Sequence, residues 1–372
     1  MAEKPTLPRI LALDNLRGLS AIYVVAFHTA LIPQSQLFVP ALLRNFVIFG
    51  STGVYLFFII SGFSLSLTMP RHSSSQAPTL SYAISRFFRI APLFYALLAL
   101  SLLRDWRLLH TDHSLREILA SVFFVFNLVP GHQEGIVWAS WTVGIETVYY
   151  CLFPFFYRLP LKAKLILLAG TVALQCSLIS IFGGSGILRL LLLGFIPIFV
   201  FGEITFHLVS ACHDNPNAKK WAPVATIFGA GILLCCIMNS GAVQPFRPGI
   251  GGELLRIVSG LGYSLLLFGL ILRPLRIVEN RLFGFYGKIS YSLYLCHPTI
   301  VYLLARPYRL VYKIVPGSVA YLVCAFLTLA IVTGIATVTY RLIEKPAIQL
   351  GHKLLLIVIS SRDSRRAVLS VS

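Results

Sequence analysis

Two side chains that lipid does not tolerate stand inside the first long apolar run of this chain. The stretch from Leu13 to Thr29 reads LDNLRGLSAIYVVAFHT and carries Arg17 and His28. Eleven residues at about 100° each make three turns plus roughly 20°, so both point from one helix face, about 16 Å apart along the axis. Ionisable groups within a bilayer are costly and usually face a cavity or pathway. The stripe therefore reads as a functional site running inward from the surface. Its histidine is a group suited to taking a hydroxyl proton near neutral pH. A structural reading stays open beside it, in which Arg17 snorkels to lipid phosphates and His28 hydrogen-bonds a neighbouring helix.

Further groups of the same kind follow. Arg86 and Arg89 stand at i and i+3 in the polar-to-apolar passage SYAISRFFRIAP, on one face and in what the pattern predicts to be the first turn of a helix. Free N–H groups at a helix start together with two arginines make a phosphate receptor, although two positive-inside anchors would look the same. In WASWTVGIETVYYCLFP, Trp138 and Trp141 suit the outer membrane interface. Glu146 lies about 7.5 Å further in. That is about the depth of His28, so a Glu146 carboxylate beside the imidazole would hold its tautomer and raise its basicity. Near the end, KISYSLYLCHP places His297 before Pro298, and a proline within a helix kinks it and frees a carbonyl. His110, His113, His132 and Glu134, between Asp105 and Ala139, read as solvated loop residues rather than metal ligands.

These residues must be positioned by membrane helices. Of 372 residues 57% are hydrophobic and only 12% charged, with a mean hydropathy of +0.82. A soluble domain carries about 25% charged residues, so the chain is expected to be an all-α polytopic membrane protein. The net charge of +18 would suggest nucleic acid in a soluble protein. Here the basic residues bracket apolar runs, which points to topology instead. About ten transmembrane helices are expected, near 10–32, 46–68, 87–104, 138–157, 165–182, 187–208, 221–239, 253–272, 284–305 and 316–340. The run Ile118 to Pro130 is too short to span and reads as re-entrant or interfacial. With both termini cytoplasmic, about two thirds of the 31 Lys and Arg fall on that side. Arg189, Glu203, Glu253 and Arg256 sit near span ends. The first run shows no cleavable signal pattern, and the seven cysteines read as small buried hydrophobes. Residues 1–350 are expected to form the membrane domain and 351–372 a basic cytoplasmic tail, with no fused soluble domain after Pro346.

Five signatures in order resemble the acyltransferase 3 family of bacterial integral-membrane O-acyltransferases. They are LDNLRGLSAIYVVAFH, GVYLFFIISGF, the RFFR pair, WTVGIETVYY, and ISYSLYLCHP with YRLIEKP, spanning residues 13 to 346. The resemblance implies about ten membrane helices. It also implies an enzyme moving an acyl group, usually acetyl, from acyl-CoA to a hydroxyl of a carbohydrate or small natural product. Its functional positions are matched here by Arg17, His28, Arg86 and Arg89. The family usually has an acid after the Gly-Val of the second span, where this chain has Tyr55; that role is lost or passes to another group, with Glu146 and Asp14 as candidates. Asn15 stands where a glycine is frequent.

Together these readings give an acyl-CoA-dependent O-acyltransferase with His28 as base and no bound cofactor or metal. Arginines at the cytoplasmic face would hold the CoA phosphates. A cell-surface polysaccharide or lipid-linked sugar is the expected acceptor because His28 is nearer the outer side; a small metabolite such as a macrolide sugar is the alternative. A second class, a secondary transporter or flippase, would use the same buried charges as a binding site. The absence of a visible internal repeat disfavours an inverted-repeat transporter.

Overall fold

The computed structural model describes residues 10–33, 37–183, 192–240 and 249–369. Arg189 and the beginning of the expected span 187–208 lie outside the described residues, as does the end of the tail at 370–372. Every regular element among the described residues is helical. In chain order they are α1 (Leu11–Leu31), α2 (Ala41–Phe49), α3 (Gly53–Ser73), α4 (Pro78–Arg104), α5 (Leu115–Val122), α6 (Trp141–Tyr157), α7 (Leu161–Phe182) and α8 (Ile196–Cys212). They continue with α9 (Pro216–Lys220), α10 (Ala222–Asn239), α11 (Ile250–Leu272), α12 (Arg281–Leu303), α13 (Ala305–Ile314), α14 (Gly317–Thr339) and α15 (Lys345–Leu369).

Local chemistry explains most of the boundaries. Pro78 opens α4 at a position where its missing N–H costs nothing. Ser114 and Glu117 close a reciprocal capping box at the start of α5, and the Asn280 side chain accepts from the Phe283 N–H to start α12. The short run at 118–130 is α5 followed by a single tight turn at Phe126–Leu128, not a span.

Seven helical stretches among the described residues are long and apolar enough to cross a membrane: Ala41–Ser73, Pro78–Leu109, Leu161–Phe182, Leu192–Cys212, Ala222–Asn239, Ile250–Leu272 and Val319–Ile357. The expected count of about ten is therefore not matched by this measure. The three expected spans that fall short are α1, α6 and α12. The α6 helix has only 17 residues. Asp14, Asn15, Arg17 and His28 dilute α1, and Lys288, several hydroxyl side chains and His297 dilute α12. These three helices carry His28, Glu146 and His297 of the candidate site.

Their packing shows why such helices are tolerated. The α3 helix is the centre of the bundle, with 12 of its 21 residues buried, whereas α7 at the rim buries three of 22. The α1 and α12 helices meet through reciprocal glycines. A Cβ on Gly287 would lie 2.0 Å from the Asp14 carbonyl oxygen, and one on Gly18 would lie 2.4 Å from that of Phe283. Only glycine admits this approach. It lays the two polar helices directly on one another, which leaves His297 buried and Asp14, Arg17 and His28 partly buried.

Candidate active site

Two cavities share one wall. The outer one, about 360 Å³, is lined by Asp14, Arg17, Arg86, Arg89, Lys288 and His352 among others. The inner one, about 100 Å³, runs on past Ser61, Glu146, Tyr150 and Tyr291 to Tyr294. Arg17, Ser64, Arg86 and Arg89 line both. Thus α1 and α4 bring the three arginines to a single constriction, beside Ser64 of α3.

Each arginine is held differently. Arg17 donates to Ser64 Oγ at 2.8 Å and lies 3.8 Å from the Asp14 carboxylate. Arg89 is paired with Glu344, whose other oxygen accepts from Ser292 Oγ at 2.7 Å. Arg86 lies over the Tyr150 ring at 5.7 Å and donates through Nη2 to Ser85, while its Nε is buried with no acceptor among the described residues. A buried unpaired donor on an arginine is costly and marks a place where an anionic or carbonyl oxygen would be bound tightly. Arg86 and Arg89 are not in the first turn of their helix, as the pattern predicted. Pro78 starts α4 two turns earlier, so the arginine side chains, without free helix-end N–H groups, make the cationic wall.

The histidines form a second feature, beyond Tyr294. The His28 Nδ1 lies 3.0 Å from the Val24 carbonyl oxygen and 3.1 Å from His297 Nε2. The His297 Nδ1 lies 2.5 Å from the Tyr294 carbonyl oxygen. Carbonyls only accept, so both Nδ1 atoms carry the proton in the neutral rings. The one His28 Nδ1–H is then shared between the Val24 carbonyl oxygen and the His297 Nε2 lone pair, and His28 Nε2 is a lone pair with no hydrogen-bond partner among the described residues. His297 is fully buried and His28 partly so.

The structure does not form the expected pairing of Glu146 with His28. Glu146 accepts from Ser61 Oγ at 2.6 Å and from Tyr150 OH at 2.5 Å, on the wall of the inner cavity. The partner of His28 is an imidazole, not a carboxylate. Equal depth along two helices says nothing about the angle between them. The Arg17–His28 stripe is likewise interrupted, because Arg17 lines both cavities and His28 lines neither. Phe57 and Tyr294 both line the inner cavity, their rings 5.7 Å apart, and Tyr294 lies 5.6 Å from the His297 ring, linking the cavity wall to the histidines. Tyr55 is fully buried near Phe195, off the cavities, and Trp141 packs on that same phenylalanine.

Several site residues escaped the sequence reading. Ser61, Ser64, Tyr150, Tyr291 and Tyr294 looked like ordinary helix residues. Glu344 lay inside YRLIEKP but had no partner until Arg89 reached it. Of the loop histidines, His132 keeps a solvent-exposed side chain while meeting Glu117 at 2.6 Å, whereas His113 is largely covered and meets Asp105 at 2.9 Å. Asp105 in turn binds Arg104, which donates to Thr299 on α12.

Comparison with known proteins places this chain in a family. An exopolysaccharide production protein, ExoZ, of Rhizobium meliloti (strain 1021) is 24% identical over 327 residues, covering 82% of this chain and 91% of the relative. "Putative O-acetyltransferase SACOL0978" of Staphylococcus aureus (strain COL) is 25% identical over 384 residues, covering 92% of this chain, which spans 58% of that relative's length. No solved structure matches. The family described as "Acyltransferase domain", acyltransferase 3, matches residues 10–337, a range that holds His28, His297, Glu146 and all three arginines. With its apolar helices and this match, the chain is an integral-membrane member of the acyltransferase 3 family.

Proposed function

We propose that this acyltransferase moves a short acyl group, acetyl first, from acyl-CoA to a hydroxyl of a cell-surface polysaccharide or lipid-linked sugar. It works in a bacterial inner membrane with both termini cytoplasmic. The observation that carries the reading is the convergence of Arg17, Arg86 and Arg89 on the wall shared by two cavities, with a buried Arg86 Nε lacking an acceptor among the described residues. Phosphates of the donor are held by these planar donors, with Lys288 and His352 at the wider end for the rest of the nucleotide. The pantetheine arm follows the inner cavity past Ser61 and Glu146 toward Tyr294, and the thioester passes the Phe57–Tyr294 pair to reach His28. A relative named for exopolysaccharide production supports a carbohydrate acceptor.

In the transfer step the acceptor hydroxyl gives its proton to His28 Nε2 as its oxygen attacks the thioester carbonyl. The carbon–sulfur bond breaks, and the CoA thiolate leaves with the proton that His28 returns. The test uses purified protein in nanodiscs with [14C]acetyl-CoA and surface polysaccharide from a strain lacking the gene. Label in the polysaccharide with equimolar CoA release is expected, and His28→Ala should abolish both. Substrate flux in liposomes with no CoA release would instead favour a transporter.

A further inference from the structure

We infer that His297 is the positioning residue for His28, filling through a neutral imidazole the place in which a carboxylate was expected. This rests on the reading of His28 as general base. The hydrogen-bond chain has one consistent direction: His28 Nδ1–H is shared between His297 Nε2 and the Val24 carbonyl of its own helix, and His297 Nδ1–H goes to the Tyr294 carbonyl. The opposite assignment would turn two ring lone pairs onto carbonyl oxygens, Val24 and Tyr294, at 3.0 and 2.5 Å. The helix backbone sets this direction. Pro298 has no N–H, so the Tyr294 carbonyl four residues earlier lacks its helical donor and takes the His297 proton instead. His297 Nε2 must then accept.

Two consequences follow for His28. Its ring is held from one edge at Nδ1, leaving Nε2 as the basic atom. When Nε2 takes the acceptor's proton, the charge spreads to Nδ1–H, which His297 Nε2 already accepts, so the imidazolium is stabilised without moving a residue. A neutral partner also avoids placing a full negative charge among buried helices. The close seating of α1 on α12 through Gly18 and Gly287 keeps the two rings 4.8 Å apart.

Two variants separate positioning from simple packing. Glutamine carries its amide oxygen about as far from Cα as imidazole carries Nε2, so His297→Gln can still accept from His28. Asparagine reaches only as far as Nδ1, so His297→Asn can keep the bond to Tyr294 but not the one to His28. Rates are measured in nanodiscs with [14C]acetyl-CoA and polysaccharide from the deletion strain, beside His28→Ala, on protein of matched yield and monodisperse elution. The expected result is a kcat within about tenfold of the parent for Gln and a fall on the order of 10²-fold for Asn, with the acetyl-CoA KM within about twofold in both. Asn equal to or better than Gln, or a loss expressed in KM, would overturn the inference. If His297→Asn does not fold, His297→Gln decides alone, since a kcat as low as that of His28→Ala contradicts a positioning role. Activity surviving in His28→Ala would defeat the base assignment itself, whatever the His297 variants show.

Discussion

His297 donates its Nδ1 proton to the carbonyl oxygen of Tyr294 on its own helix, at 2.5 Å. That oxygen is available only because residue 298 is proline. In Pro298→Ala a backbone N–H returns and competes for it, so His297 loses the bond that fixes its tautomer. A hydrogen bond worth about 1 kcal/mol corresponds to about a fivefold fall in kcat. Stability should not fall, because an interior proline costs a helix about 3 kcal/mol. Steady-state kinetics beside a thermal melt decides the matter, and an unchanged kcat would remove Pro298 from the argument.

Arg86 and Arg89 should respond differently to substitution although they sit three residues apart. Arg86 has an unused buried donor, so Arg86→Lys should raise the acyl-CoA KM by roughly tenfold, the planar fork being gone, with normal protein yield. Arg89→Ala strands the fully buried Glu344 and should cost on the order of 1–2 kcal/mol of stability, discounted because Arg89 is about a third exposed. Adding Glu344→Gln to Arg89→Ala should restore the melt but not donor affinity. Equal melts for Arg89→Ala and the parent would show that the pair does not support the fold.

Glu146 binds Ser61 and Tyr150 rather than the histidine, and Tyr150 lies under Arg86. Glu146→Gln is therefore expected to act on donor binding, raising the acyl-CoA KM by about threefold to tenfold through the weakened charge-assisted bonds, with kcat changed less. A kcat loss on the order of 10²-fold at constant KM would return Glu146 to the proton-transfer chemistry.

Phe57 lines the inner cavity and packs on Tyr294, the residue that neighbours His297. Phe57→Ala opens that wall, so the ratio of butyryl-CoA to acetyl-CoA turnover should rise by at least about tenfold, the scale on which a pocket distinguishes added methylenes. Competition between the two donors in one reaction measures it directly. An unchanged ratio would mean that the acyl group is bound elsewhere.

Outside the membrane helices, Glu117 ties the loop after α4 together. Partial burial pushes its carboxyl up, but bonds from the Ser114 backbone and hydroxyl and the neighbouring His132 and His113 outweigh that and hold it below the usual carboxylate range. A lowered folded-state value contributes stability that is present above the unfolded carboxylate range and is lost as pH falls through the folded value. Protection factors across residues 105–135, taken relative to the intrinsic exchange rate at each pH, should fall on acidification through that window in the parent. In Glu117→Gln the same step should be absent, and its persistence would assign the effect to another group.

Much of this site was written along the chain. Arg17, Arg86 and Arg89 were identified from their types and spacing, and the structure gathers them at one constriction. The helical class followed from long apolar runs, and the freed carbonyl followed from Pro298. These are local properties, set by covalent geometry and a 3.6-residue period that any single helix carries. What one helix cannot encode is its neighbour. Helical rise placed Glu146 level with His28, but the packing of α6 turned the carboxylate to Ser61 and Tyr150. The notches at Gly18 and Gly287 seat α1 on α12 and hand His28 to His297. Glu344 became the partner of Arg89 only when two segments 255 residues apart were folded together. Depth is a sum along one axis, whereas contact depends on azimuth and on how closely two backbones approach, and those are fixed by the small residues between helices.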